Sequence, residues 1–578
     1  MWGPTPPTRH RITNARAWAN LNSNPGAQYF WVDRIFMWNQ DPSSFPYQLF
    51  HTSRPGALDT SFVSTDYINN PRTMNAVYNL KARIEVAAHL GKEKLAGGGL
   101  NNRQFNEVPG VTPDSALAQF YKQPDTVFTP RVLKDGADSV GALGALNRVF
   151  INIGLYSEEW TTHFRPLIGG KPITPFRIDV ARKNSSYWNA NEAQTPDLAL
   201  FFLASATPDY LKDAPGGAAH LSEPAAVLER GKEVFADTCA RCHSSKLPEK
   251  AWSFFPDNGC VNNGYLQCWN NYWRWSETAE FKDAMRAIVK DDKFLTDNYL
   301  STELRVPVTL LETNACSPLA TNALGGNIWD NFSSQSYKQL PGVGSILVQN
   351  PYTGEPREYS MPAGGRGYTR PASLISLWST APLLLNNSLG KFEWKGGVEE
   401  RMASFDSAIE MLLWPEKRQG NFQVMTRSGK THPGTIDVTS ETSYLRVNSG
   451  YLPKFLQDLE GLVSRWLPWL FDDDGVQLGP IPQGTPVGLL SNIDLEKRAQ
   501  VLELLLKIKH DLKQLPAGAT DEEARKVFAR LVQPLLAVSK CPDYVVDKGH
   551  YFGTGFLKGE QGLSDEDKRA LIALLKTF

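Results

Sequence analysis

A five-residue motif in the middle of the chain constrains it more than any other feature. Residues 239–243 read Cys-Ala-Arg-Cys-His, which has the Cys-x-x-Cys-His spacing used to attach c-type haem. In that chemistry, two thiols bond the vinyl groups of one haem, and the adjacent imidazole binds its iron. With 6 Cys and 9 His in 578 residues, the motif would arise in about one shuffled chain in a thousand. The motif therefore predicts one covalent haem c held by Cys239, Cys242 and His243.

Two other chemistries use cysteine pairs at this spacing. A structural zinc site would require a second ligand pair, and the downstream candidates Cys260 and Cys268 are eight residues apart with no paired His. A thioredoxin-like dithiol would follow a strand, whereas a helical pattern precedes Cys239. Both alternatives stay open at this point, and the sequence favours haem over them.

Amphipathic helices are predicted before the motif and at the end of the chain. Residues 222–235 start with a capping Ser222 and place Gly231 on the apolar face. Residues 564–578 start with Ser564 as the N-cap, carry acids in the first turn, and have a leucine-rich stripe. In cytochrome c domains the first and last helices cross, and Gly231 would let the two backbones approach closely.

The order of these features resembles the dihaem cytochrome c peroxidase and MauG superfamily, and within it most closely the rubber oxygenase (RoxA)-like c-type cytochromes. The resemblance is carried by the haem motif, by the run Arg-Gly-Tyr-Thr-Arg-Pro-Ala-Ser-Leu at 366–374, and by Thr-Ala-Pro at 380–382. It also takes in Asp-Lys-Gly-His-Tyr-Phe-Gly-Thr at 547–554, where those cytochromes place a distal histidine. Further upstream it includes residues 144–154, Trp160 and residues 166–170.

Two departures from the family pattern bear on function. Peroxidase-type members tend to follow Thr-Ala-Pro with His-Asn-Gly, whereas residues 383–388 read Leu-Leu-Leu-Asn-Asn-Ser. The family also carries two Cys-x-x-Cys-His motifs, and this chain has one. In the relatives the upstream haem meets oxygen or peroxide and the downstream haem handles electrons. The resemblance therefore implies that the haem present here is the electron-transfer one.

The N-terminal residues do not resemble an export signal. Residues 1–7 read Met-Trp-Gly-Pro-Thr-Pro-Pro, without a basic start or an apolar run. Covalent haem attachment takes place in an exporting, oxidising compartment such as the bacterial periplasm. We therefore expect a periplasmic or secreted protein, and a sequence shortened from a longer precursor that carried the signal and a first haem motif.

Composition and periodicity predict a mainly α protein of two domains. At 578 residues a single core is not expected, so we place an N-terminal helical or irregular domain at 1–221. A cytochrome c-type haem domain follows at 222–578, with a loop-rich insertion at about 252–360.

A net charge of −1 argues against nucleic acid as a partner, and no apolar run has the length of a membrane span. Apolar spacing predicts helices over 278–290, 397–413, 454–471, 494–512 and 521–538.

The iron's second axial position decides what such a haem can do. His243 is the expected proximal ligand. For the distal position the sequence offers His550, between Gly549 and a glycine-containing run, or Met361 in a Pro- and Gly-bounded loop, or no protein ligand. A closed iron passes electrons and does not bind substrate. Arg366 and Arg370 are candidates to neutralise a haem carboxylate, with surface placement as the alternative.

Four cysteines lie outside the haem motif, and in an oxidising compartment they permit three pairings. Cys260 with Cys268 would close a short local loop, which leaves Cys316 with Cys541 to join the insertion to the His550 region. Free buried thiols are the alternative.

The sequence therefore predicts a periplasmic c-type cytochrome that works in electron transfer with a redox partner protein or a small-molecule donor. One alternative is a peroxidase or dioxygenase acting on peroxide, or on O2 and an apolar substrate, through a second haem not encoded in this chain. Another is a binding module in which the haem is only structural.

Overall fold

The computed structural model describes the strands Lys92–Lys94 and Thr126–Phe128 and most of residues 208–578. The gaps within 208–578 are residues 256–259, 261–263, 303, 320–334, 370, 385–387, 392, 394–396, 440–441, 449–458, 460–474, 492, 495–496, 516–518 and 540. Nearly all of the predicted domain 1–221 and of the predicted helix 454–471 lies outside the described residues.

The described part of the chain is mainly helical. Its α-helices are α1 (Ala225–Thr238), α2 (Ala240–His243), α3 (Gly264–Ser276), α4 (Ala279–Lys290), α5 (Val308–Leu311), α6 (Cys316–Leu319), α7 (Gln335–Lys338), α8 (Val398–Leu413), α9 (Val487–Ser491), α10 (Arg498–Lys513), α11 (Asp521–Ala529), α12 (Val532–Ala537) and α13 (Asp565–Leu575). Short 3-10 helices cover Leu211–Asp213, Gly217–His220, Glu249–Phe254, Leu377–Ser379 and Pro415–Lys417.

The strands of the described residues form five separate antiparallel pairs rather than a continuous sheet. In chain order the strands are β1 (Lys92–Lys94), β2 (Thr126–Phe128), β3 (Val306–Pro307), β4 (Ser345–Gln349), β5 (Pro356–Ser360), β6 (Tyr368–Thr369), β7 (Phe422–Met425), β8 (Thr431–Gly434), β9 (Ser443–Asn448) and β10 (Gly475–Ile481). The pairs are β1 with β2, β3 with β6, β4 with β5, β7 with β8, and β9 with β10.

Helix α1 crosses helix α13, as the sequence predicts. Gly231 lies at the crossing, where a Cβ atom would overlap the carbonyl oxygen of Ala570. Ser564 caps α13, since its side chain accepts a hydrogen bond from the backbone N–H of Asp567 at 3.1 Å. The predicted start of α1 is wrong, because Pro224 rather than Ser222 is its N-cap and no side chain caps the helix. The ring fixes φ of Pro224 at −60°, while the extended ψ keeps that residue outside the helix.

Two hydrophobic clusters underlie this part of the chain. The first contains α1, α3, α4, α8 and α13 and surrounds the haem motif. The second is built from residues 424–545, chiefly α10, α11 and α12. One insertion is predicted from the sequence, at about 252–360, and no local pattern indicates that a later stretch forms a core of its own.

The predicted helix 521–538 is divided into α11 and α12. Pro534 explains the division, because its ring would clash with the carbonyl group of Arg530 in a continuous helix. The predictions for 278–290 and 397–413 match α4 and α8 within one residue at each end, and α10 begins four residues after the predicted start at 494. Within the described ranges, every helix is too short or too polar to be a membrane-spanning segment.

Candidate functional site

The Cys-x-x-Cys-His motif forms one helical turn at the end of α1. The backbone N–H groups of Cys242 and His243 both donate to the carbonyl oxygen of Cys239, at 3.1 and 3.0 Å. Residues three and four apart on a helix share a face. The turn therefore directs both thiols and the imidazole toward the same side, where all three line one cavity.

That cavity is partly open to solvent and has a volume of about 160 Å³. Most of its lining is aliphatic, contributed by the end of α5, the segment after β6, and helices α8 and α13. These apolar residues include Leu311, Leu374, Leu383, Ile409, Leu412 and Leu571.

The imidazole of His243 is oriented by the backbone of the run 366–374. Its Nδ1 atom lies 3.1 Å from the carbonyl oxygen of Ala372. Because a carbonyl can only accept, Nδ1 carries the proton and the lone pair of the neutral ring lies on Nε2. Loss of hydration lowers the pKa of His243 to about 4, so the ring is neutral near pH 7, as a metal ligand must be.

His550 lies across the cavity from His243. The two ring centres are 6.2 Å apart and the ring planes are inclined by 48°. Burial, followed by repulsion from His243, lowers the pKa of His550 to about 3. Among the described residues its Nδ1 atom has no hydrogen-bond partner, so this ring, unlike that of His243, is oriented by the backbone and by packing.

The separation of the two histidines fits one iron between them. A metal–imidazole bond is about 2.0 Å long and a ring nitrogen lies about 1.1 Å from its ring centre, so two imidazoles on opposite sides of one metal have centres about 6 Å apart. The thiols of Cys239 and Cys242 open onto the same cavity and are not joined to each other. These four side chains therefore fit a covalently attached haem.

The zinc and dithiol alternatives fit less well. Within the described ranges, no group of three or more His, Cys, Asp or Glu side chains is arranged to hold a metal ion, whereas structural zinc takes four ligands. Burial raises the pKa of Cys239 to about 12 and that of Cys242 to about 11. Redox dithiols instead have lowered thiol pKa values, since the thiolate is the reactive form.

Three other predicted site residues lie away from the cavity or outside the described residues. Met361 is buried, but its side chain packs toward Gly367 and it is not among the described lining residues. Arg366 is not a lining residue either, and it interacts electrostatically with Tyr359 on β5. Arg370 lies outside the described residues.

The cavity has a cationic side chain that the sequence analysis missed. Arg241, inside the haem motif, lines the cavity and is 6 % exposed. Its guanidinium lies 4.0 Å from the ring centre of Trp273 and 5.2 Å from that of Phe552, and it donates to Glu560 at 3.3 Å. No local pattern in the sequence indicates that Arg241 lines the cavity. Trp273 and Phe552, whose rings stack on its guanidinium, lie 32 and 311 residues further along the chain.

The remaining cysteines form the two disulfides that the sequence favours. Cys260 is bonded to Cys268, and Cys316 is bonded to Cys541. The second bond spans 225 residues and joins the first residue of α6 to the segment that leads to His550.

Comparisons with known proteins do not place the chain in a family. No family model matches it, and neither a curated protein nor a solved structure matches it. The resemblance to the peroxidase and MauG superfamily therefore stays a prediction carried by the motifs themselves.

Proposed function

We propose that this protein is a c-type cytochrome that binds one haem in the cavity between His243 and His550 and transfers electrons. The observation that carries the proposal is the 6.2 Å separation of the two imidazoles, across a cavity onto which both motif thiols also open. Haem iron held by two imidazoles exchanges single electrons between its ferric and ferrous forms.

Each protein group has a distinct part in holding the haem. The S–H bonds of Cys239 and Cys242 would add across the two vinyl double bonds, each giving a C–S thioether. The Nε2 atom of His243 would bind the iron, and Ala372 keeps that atom's lone pair available. The aliphatic lining would exclude water from the haem faces and so favour a closed, low-dielectric site.

A ligand at His550 distinguishes electron transfer from catalysis at this iron. A peroxidase or dioxygenase needs an open coordination position for its substrate, and His550 would fill that position. The geometry therefore favours electron transfer over the catalytic alternative. The two disulfides and the chemistry of haem attachment support a periplasmic or otherwise oxidising location.

The proposal is tested by counting haem in the full chain exported by a bacterium that attaches haem c. A pyridine haemochrome assay should give one haem per chain, retained after denaturation. His243→Ala should abolish stable haem incorporation, and the Cys239→Ala/Cys242→Ala variant should leave no haem covalently attached. His220→Ala is the matched control, because His220 pairs with Glu399 outside the cavity and its loss should leave the haem content unchanged. A colourless wild-type protein would refute the proposal.

A further inference from the structure

The segment that carries His550 is irregular and lies between the two hydrophobic clusters. We call residues 541–550 the His550 arm. The arm contains no helix or strand longer than an isolated bridge, and all but its last residue are buried. The position of His550 is therefore set by what holds the arm.

One end of the arm is fixed to residues 311–316. The Cys316–Cys541 disulfide joins the two segments covalently. The side-chain amide of Asn314 donates to the carbonyl oxygens of Asp543 at 2.9 Å and Val545 at 2.8 Å. In the same direction, the backbone N–H of Ala315 donates to the Asp543 carboxylate at 2.8 Å.

The other end of the arm meets the same short segment. The backbone N–H of His550 donates to the carbonyl oxygen of Leu311 at 2.8 Å. Gly549 packs so tightly against Thr313 that a Cβ atom would overlap the Thr313 backbone. His550 itself has φ of 55°, a left-handed conformation that non-glycine residues adopt only when their surroundings impose it.

Contacts on the opposite side complete the fixation of the arm. Lys548 pairs with Asp543 at 2.8 Å and donates to the carbonyl oxygen of Leu347 at 2.9 Å. Arg418 donates to the carbonyl oxygens of Asp547 at 2.7 Å and Gly549 at 3.0 Å. Lys548 and Arg418 do not line the cavity, so they affect His550 through the arm and do not contact a haem directly.

We propose that the Cys316–Cys541 disulfide and Asn314 are positioning groups that keep His550 on the iron, and that their loss opens the iron to small external ligands. This inference rests on the proposed haem function. The ring of His550 has no hydrogen bond at Nδ1 among the described residues, so its orientation depends on the arm and on edge-on packing against Phe552. Releasing the arm lowers the effective concentration of the imidazole at the iron, and the fraction of haem with an open position rises accordingly.

The test compares the two disulfides in the full haem-loaded chain. Cys316→Ser/Cys541→Ser removes the bond that fixes the arm, and Cys260→Ser/Cys268→Ser removes the other as a matched control. We expect the first variant to gain a high-spin ferric spectrum and to bind added imidazole at least about tenfold more tightly than wild type. The control variant should keep the wild-type low-spin spectrum and its weak imidazole binding.

A low-spin spectrum and unchanged imidazole affinity in the first variant would overturn the inference and leave the proposed function intact. A wild-type protein without haem would instead overturn the proposed function. If the first variant does not fold, Asn314→Ala gives the same test with the disulfide intact. It removes the two amide hydrogen bonds to the arm and the one that Asn314 Oδ1 accepts from the backbone N–H of Cys316. Its imidazole affinity should also rise, by a smaller factor, and an affinity equal to wild type would count against the proposal.

Discussion

Gly231 of helix α1 lies directly against the carbonyl group of Ala570 in helix α13, with no space for a side chain between the two backbones. The first helix before the haem motif and the last helix of the chain are thus joined at a backbone contact. Phe235 extends this contact by packing edge-on against Phe578, with ring centres 5.1 Å apart. The contact fixes the direction in which α1 delivers Cys239 to the cavity.

Replacing Gly231 with Ala should therefore destabilise the protein. A methyl group at this position forces the helices apart, and overpacking of this kind costs about 1–3 kcal/mol. The unfolding free energy from denaturant titration should fall by that amount. Glu229→Ala on the exposed face of the same helix is the control, and it should change stability by less than about 0.5 kcal/mol. Equal unfolding free energies for Gly231→Ala and Glu229→Ala would show that α1 and α13 can move apart without a loss of stability.

The stability of the protein should fall in acid because of His432. This residue is 1 % exposed, and its Nε2 atom accepts a hydrogen bond from the Tyr551 hydroxyl at 2.7 Å. Burial, reinforced by the Arg418 charge, lowers the pKa of His432 to about 4. The unfolded chain binds a proton near the ordinary value of about 6.5, so the free energy of unfolding drops as the pH falls from about 6.5 toward 4.

Protonation of His432 should lower the free energy of unfolding by about 2–3 kcal/mol at pH 4. Chemical unfolding curves between pH 7 and 4 should show it, and His432→Gln should have a shallower pH dependence over the same interval. His510, which is on the solvent side of α10 and bonds Gln514, provides the comparison variant His510→Gln. A pH dependence that is the same in His432→Gln and wild type would contradict this assignment.

Arg241 should raise the reduction potential of the haem. Its charge is held at the cavity by Trp273 and Phe552, and a nearby positive charge disfavours the more positive ferric iron. Arg241→Gln should therefore lower the midpoint potential by tens of millivolts in a potentiometric titration, with Glu560 moderating the change. Arg274→Gln, at an exposed position of α3, should leave the potential nearly unchanged. A higher potential in Arg241→Gln would mean that the guanidinium does not act on the iron.

The local parts of the fold were predictable from the sequence because their causes are local. Ser564 indicates the start of α13, and the apolar spacing of 397–413 indicates α8. The Cys316–Cys541 disulfide spans 225 residues, and it belonged to only one of the three pairings that the sequence permitted. The helix predicted over 521–538 did not take Pro534 into account, and the structure has two helices there, α11 and α12. The cap of α1 was also misassigned, since Ser222 and Pro224 are both acceptable residues near a helix start.

The site was predictable where short sequence runs carry it, namely the motif at 239–243 and the run 547–554 that contains His550. Cys239, Cys242 and His243 are adjacent in sequence, and one helical turn brings them together. The position of His550 opposite His243 depends on contacts from residues 311–316 and 418, which no local pattern reveals. The stacking of Arg241 on Trp273 and Phe552, and the formation of a second core by residues 424–545, depend on the tertiary structure in the same way.

The ferric electron paramagnetic resonance spectrum of the haem-loaded protein reports which ligands hold the iron. With His243 and His550 on opposite sides of the iron, we expect a low-spin spectrum typical of two imidazole ligands, at one haem per chain. The His550→Ala variant should convert that spectrum to a high-spin one, while His220→Ala should not. A wild-type spectrum that is high-spin, or unaffected by His550→Ala, would contradict the account.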